Sequence, residues 1–206
     1  MNSLHNLPNL LTLGRIALIP VFVLVYYLPV SWASPTATWI FVAAALTDWL
    51  DGYLARRMRL TSPLGAFLDP VADKLMVATA LVVVLQADPR LWLALPVMVI
   101  IGREITISAL REWMAEIGER AQVAVSELGK FKTAAQMLAI TLLIYRDDLW
   151  GLPIYVIGEV LLYIAVVLTL WSMVIYLRAA WPHLGGGGGT GKSADPGLTA
   201  PGESIE

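Results

Sequence analysis

Residues 39–56 read WIFVAAALTDWLDGYLAR, an apolar run that passes without a break into two aspartates and an arginine. The next apolar run, FLDPVADKLMVATALVVVL at 67–85, adds Asp69 and Asp73. Hydrophobic side chains make up 58% of the 206 residues and charged ones only 15%. A soluble domain is about half apolar and a quarter charged. This composition specifies an all-α polytopic membrane protein, and it makes four carboxylates inside apolar segments the feature to explain. A net charge of -2 argues against nucleic acid as a partner, since a phosphate backbone selects a clustered basic surface. Zero cysteines exclude disulfides, thiolate metal sites and cysteine catalysis.

A membrane span needs about 20 apolar residues rising about 1.5 Å each. Six windows meet this when charges near their ends are allowed: 8–30, 36–57, 65–87, 90–112, 132–147 and 152–180. Ser31-Trp32-Ala33 resembles a small-residue cleavage site, but no basic segment precedes the run and Arg15 interrupts it, so 8–30 reads as a retained first helix. Arg56, Arg57 and Arg59 follow the second window, and Arg111, Arg120, Lys130 and Lys132 cluster between the fourth and fifth. The alternate connections are poor in Lys and Arg, which predicts cytoplasmic termini. Residues 1–183 thus form one membrane domain. Residues 184–206, LGGGGGTGKSADPGLTAPGESIE, read as a disordered tail. Gly186 to Ser193 matches a phosphate-loop pattern, but neither the strand nor the helix such a loop requires flanks it.

A lone carboxylate costs about 2.5–3.5 kcal/mol at the bilayer centre, so the four demand compensation by cations, water or both. Asp48 lies about 12 Å along a helix from Arg56, which sets the acids near the cytoplasmic boundary. At about 100° per residue Asp48, Gly52, Ala55 and Arg59 share a stripe flanked by Asp51 and Arg56, and Gly65, Asp69 and Asp73 form another. A short basic turn joins the two helices, so they are antiparallel neighbours and their acids can meet in one cavity. Two divalent ions would balance the charge, and an oxygen-only ligand set suits Mg²⁺, Mn²⁺ or Ca²⁺ rather than zinc. The plainer alternative pairs the acids with Arg56, Arg57, Arg59 and Lys74 as helix-end ion pairs. A divalent-cation transporter is a third reading, opposed by the crowding of the acids at one end of two helices.

The eight residues Asp48, Asp51, Gly52, Ala55, Arg56, Gly65, Asp69 and Asp73 fit the pattern D-x2-D-G-x2-A-R-x8-G-x3-D-x3-D, which resembles the signature of the CDP-alcohol phosphotransferases. That resemblance implies a six-helix membrane enzyme, commonly a homodimer, in which Asp48, Asp51 and Asp69 hold two Mg²⁺ or Mn²⁺ ions. Asp73 would both ligate metal and act as base. NLPNLLTLGRIALIP (6–20), REITISALREWMAE (103–116) and SELGKFKTAAQM (126–137) are similar to the bacterial members that move a phosphatidyl group from CDP-diacylglycerol to sn-glycerol 3-phosphate. This implies a place in the bacterial cytoplasmic membrane. Another acceptor alcohol, such as inositol phosphate, serine or phosphatidylglycerol, is the alternative within the family.

On this reading Arg56 holds a diphosphate oxygen, and Gly52, Ala55 and Gly65 leave room for CDP-diacylglycerol. Asn9, Thr12 and Arg15, at i, i+3 and i+6 of the first helix, either line the same cavity or make interhelical hydrogen bonds, with snorkelling a further option for Arg15. Arg103 and Arg111 share a face of the fourth helix, and Lys130 and Lys132 open the fifth, a basic group suited to the acceptor's phosphate. Glu159 calls for a structural partner. His5 and His183 are too far from a second histidine to suggest a metal site. Trp32, Trp39, Trp92, Trp150 and Trp181 near span ends read as interface anchors.

Overall fold

The computed structural model describes residues 7–58, 63–116 and 127–185. They form six helices: α1 (Leu7–Tyr26), α2 (Ala33–Met58), α3 (Pro63–Ala87), α4 (Leu91–Glu116), α5 (Glu127–Tyr145) and α6 (Ile154–Gly185). All six expected helices are present, so the all-α reading holds, with shifted ends. The fifth begins five residues earlier than expected, which places Lys130 and Lys132 inside it instead of at its mouth. The sixth runs to Gly185, two residues into the segment expected as tail; residues 186–206 lie outside those described. Pro63 opens α3, where a missing N–H leaves no intrahelical bond unmade.

The connection from α5 to α6 is a tight reversal. Leu149 and Leu152 exchange backbone hydrogen bonds of 3.2 and 3.0 Å, and Trp150 and Gly151 between them have φ of 54° and 78°. Positive φ at both central residues is the type I′ pattern, which folds a chain straight back on itself. The two helices then approach closely at Gly158, where an added Cβ would stand 3.0 Å from Leu143 and 3.2 Å from Leu142 side-chain atoms. A side-chain-free position is what such an approach requires.

Phe22, Phe41, Leu81, Leu93, Ile100, Ile140, Leu143 and Leu162 fill the centre of the bundle. Leu24, Trp39, Leu91, Phe131 and Val167 are instead more than 60% exposed. A water-soluble fold would bury such residues, whereas in lipid they are simply solvated. Among the described residues, Leu91–Met114 and Ile154–Ile175 are long and apolar enough to cross a membrane, and Leu10–Tyr26 and Phe131–Tyr145 are shorter apolar helices. The 26 residues of α2 and 25 of α3 have the length, but their acids interrupt the apolar run. The described helices and the exposed apolar surface together make an integral membrane protein.

Glu159 has the structural partner its position calls for. Arg90, in the α3–α4 connection, pairs with both Asp88 and Glu159, its Nε donating to Asp88 Oδ1 at 2.6 Å. Tyr155 donates to Asp88 Oδ2 at 2.7 Å, and the Arg90 guanidinium lies 5.1 Å from the centre of the Trp92 ring. The group ties the α3–α4 corner to α6. Burial opposes ionisation of Asp88, but hydrogen bonds from Arg90 and Tyr155 and the charges of Arg90 and Arg146 outweigh it and hold the carboxyl below its usual range.

A carboxyl with a depressed folded pKa contributes stability that is present above its unfolded pKa and lost as pH falls through the folded value. Arg90→Gln should therefore cost about 1 kcal/mol of stability in detergent at neutral pH, small because the guanidinium is partly exposed and screened, and so lower the thermal midpoint. The gap to the wild type should close below about pH 4 as Asp88 protonates in both proteins. Melting curves recorded from pH 7 to pH 3 check this, and equal midpoints at neutral pH would contradict the lock.

Candidate active site

The acids are organised by α1, which packs against both α2 and α3. Thr12 and Arg15 lie three residues apart on one face of α1 and are almost fully buried. Thr12 Oγ1 donates to Asp69 Oδ1 at 2.5 Å, and an Arg15 terminal nitrogen donates to Asp48 Oδ1 at 2.6 Å. One helical turn thus holds an acid from each stripe. The burden of burial falls on the cation: the Arg15 side chain is 1% exposed and that of Asp48 44%. A guanidinium removed from water needs such a contact, since an uncompensated buried charge is among the costliest defects a fold can carry.

Asp73 lies one turn beyond Asp69 on α3 and opens onto a cavity of about 210 Å³. Lys74 from α3, Arg103 and Glu104 from α4, and Lys132 and Gln136 from α5 line it with Asp73. Arg103 and Lys132 are each only 7% exposed. Glu104 Oε1 stands between them, 3.3 Å from an Arg103 nitrogen and 3.7 Å from Lys132 Nζ. Polar walls and this volume suit a small, hydrophilic, anionic molecule. At Lys74, Val77 and Glu104 the cavity adjoins an apolar crevice of similar size walled by Leu75, Ala78, Ile100, Ile101 and Ile105.

Of the expected site residues, Asp48, Asp69 and Thr12 are thus brought together through α1, and Asp73, Arg103 and Lys132 share the cavity. Gly65 is buried in the first turn of α3. Asp51, Gly52, Ala55 and Arg56 fall in the last two turns of α2, Asn9 on α1, Arg111 on α4 and Lys130 on α5; their side chains lie outside those described. Among the described residues no three acidic or histidine side chains converge on a metal position. The donor chemistry of Asp48, Asp69 and Asp73 still fits a hard divalent ion, because all are carboxylates and carboxylate oxygens are its preferred ligands.

Sequence reasoning did not single out Glu104, Thr133 or Gln136, which also line the cavity, and it left Arg15 undecided between a cavity role and snorkelling. Gln136 follows Lys132 by four residues and so shares its helix face, a signal that was available. Glu104 neighbours Arg103 in sequence, but only the approach of α5 gives it a second cation.

The family model for CDP-alcohol phosphatidyltransferase matches residues 5–171. A Pseudomonas fluorescens protein called CDP-diacylglycerol–glycerol-3-phosphate 3-phosphatidyltransferase is 56% identical over 180 residues, covering 87% of this chain and 92% of that protein. Proteins of the same name from Escherichia coli K12 and Shigella flexneri are each 55% identical over 175 residues, covering 85% of this chain and 94% of theirs.

Neutralising Asp48 relieves repulsion among the acids but removes the counter-ion of a buried guanidinium. Asp48→Asn is expected to cost about 1 kcal/mol of stability in metal-free detergent, the charged contact being discounted for the exposure of Asp48, and so to lower the thermal midpoint. An unchanged or raised midpoint would show that repulsion dominates.

Proposed function

The chain belongs to the CDP-alcohol phosphatidyltransferase family, and we propose that it transfers the phosphatidyl group of CDP-diacylglycerol to sn-glycerol 3-phosphate, giving phosphatidylglycerophosphate and CMP. The observation that carries this reading is the cavity in which Asp73 meets two buried cations, Arg103 and Lys132. A base and a phosphate-sized basic pocket are what a phosphorylated alcohol requires. The names of the relatives, each a glycerol-3-phosphate phosphatidyltransferase, support the same acceptor.

In this reading the six helices cross the bacterial cytoplasmic membrane with both termini and the active site at the cytoplasmic end, as the Lys/Arg distribution supports. The enzyme works as a homodimer. Asp48, Asp51, Asp69 and Asp73 would hold two Mg²⁺ or Mn²⁺ ions, which when bound supply charge neutralisation at the diphosphate. Thr12 and Arg15 fix the carboxylates of Asp69 and Asp48 from behind. Arg56 holds a diphosphate oxygen, and Gly52, Ala55 and Gly65 let the nucleotide lie against the helices beside Asn9. Arg103, Arg111, Lys130 and Lys132 hold the acceptor's phosphate.

Asp73 accepts the proton of the acceptor hydroxyl as its oxygen attacks the phosphorus that carries the diacylglycerol. A new P–O bond forms, the P–O bond to the CMP phosphate breaks, and CMP leaves with that electron pair. The acyl chains stay in lipid throughout, which explains the depth of the acids: they sit where the diphosphate of a membrane-anchored donor lies.

Solubilised protein should release CMP only with CDP-diacylglycerol, a divalent ion and sn-glycerol 3-phosphate together. Release that is supported equally by another alcohol would reassign the acceptor, and no release with any alcohol would remove the enzyme reading. Asp73→Asn should lose turnover by orders of magnitude while retaining donor affinity, because a base acts only in the transition state. Parallel losses of both would make Asp73 a ligand alone. Lys132→Gln should raise the apparent KM for glycerol 3-phosphate about tenfold or more, the worth of a charge-assisted phosphate contact. Donor KM should hardly move, and equal weakening of both substrates would misplace the clamp.

A further inference from the structure

The carboxylate of Glu104 lies within 4 Å of both cations assigned above to the acceptor's phosphate. Among the described residues it is the acid that pairs with Arg103 and Lys132 together, at 3.3 and 3.7 Å, inside the small cavity that also holds Asp73. A clamp built only to attract phosphate would gain nothing from a fixed negative charge between its two buried cations. We propose that Glu104 is a resident anion of the acceptor pocket, a positioning residue that pairs with Arg103 and Lys132 while the pocket is empty, yields to the entering phosphate, and returns to displace the product. The inference rests on the acceptor assignment above and adds the step by which the pocket empties.

The charge balance explains why such a residue is useful. Among the described lining residues, Arg103, Lys132 and Lys74 oppose Asp73 and Glu104, an excess of one positive charge that removal of Glu104 would double. A phosphate monoester carries about -1.5 to -2 near neutral pH, and both acceptor and product carry it, since the transfer occurs at the hydroxyl end of the acceptor. A pocket without a competing anion would therefore bind both more tightly. Tight binding of a product limits turnover, because release then becomes slow. Binding that is equal for the substrate and the transition state lowers KM without raising kcat.

Glu104 is partly open, its side chain 30% exposed, so it can swing toward water without breaking the helix that carries it. Its contacts to the two cations are longer than a tight charge-assisted bond of about 2.7–2.9 Å. A phosphate that approaches the same nitrogens more closely can outcompete it. Arg103 and Glu104 are neighbours in the chain, so the displaced carboxylate stays tethered beside the clamp and is ready to return.

The test compares wild type, Glu104→Gln and Glu104→Asp in detergent, with inorganic phosphate as the probe and glycerol 3-phosphate as the varied substrate. Glu104→Gln should lower the apparent KM for glycerol 3-phosphate about three- to tenfold, as loss of one partly screened competing charge implies. It should lower kcat with it, and let inorganic phosphate inhibit at a correspondingly lower concentration. Glu104→Asp, one methylene shorter, should fall between the two, and it alone decides if the glutamine variant does not insert. A raised KM and weaker phosphate inhibition would overturn the proposal by making Glu104 a brace that holds the cations in place, and so would no change in either variant. The acceptor assignment is tested separately: if Lys132→Gln leaves the glycerol 3-phosphate KM untouched, the pocket is not the acceptor's and the failure lies there.

Discussion

A carboxylate in an apolar bundle and a guanidinium with almost no solvent contact each make the other tolerable, and the pair Arg15–Asp48 is where this chain meets that constraint. Removing either ion from water costs several kcal/mol, which only a short, well-directed contact offsets. The contact is made across helices, at 2.6 Å between α1 and α2, and its neighbour Thr12 reaches α3 at 2.5 Å. Satisfying the charges and assembling the bundle are therefore one event. The guanidinium cannot be desolvated without its partner on α2, and the same turn of α1 also holds Asp69 on α3.

The helical architecture was legible because it follows from segment length and apolarity, which are local properties. Helix ends were less so. The fifth helix extends back to Glu127 through Gly129 and Lys130, where hydropathy gives no signal and only backbone continuity decides. The aspartate stripes were legible because period and spacing are written in the chain. What countered their charge was not. Basic residues adjacent in sequence, Arg56, Arg57, Arg59 and Lys74, are the obvious partners, yet the described partner of Asp48 is 33 positions away. Long-range pairing of this kind depends on how helices dock, which no single segment specifies. The same holds for Glu104, whose second cation arrives on another helix.

The two ends of the bundle treat charge in opposite ways. At one end Asp88, Arg90, Tyr155 and Glu159 neutralise one another within a few ångströms, which leaves little for a ligand to do. At the other, Asp73, Lys74, Arg103 and Lys132 surround open space. Between them the core is hydrocarbon, with Leu81, Ile100, Ile140 and Leu143 fully buried. Among the described residues such a centre offers an ion no continuous polar route, which favours chemistry at one surface over passage between two.

The length of α6 sets a boundary condition of its own. Its 32 residues span about 48 Å, against a hydrocarbon layer of about 30 Å. The apolar stretch ends near Ile175, so with its start anchored at the α5–α6 turn, the final turns from about Arg178 project beyond the hydrocarbon unless the helix tilts steeply. They emerge at the end of the bundle where α5 begins and Lys132 lies. The end of α6 is then on the same side of the bundle as the pocket and beyond the apolar stretch. On the proposed function, a donor held in the bilayer by its acyl chains would arrive sideways and a water-soluble acceptor from above, so the two reactants need not compete for one door.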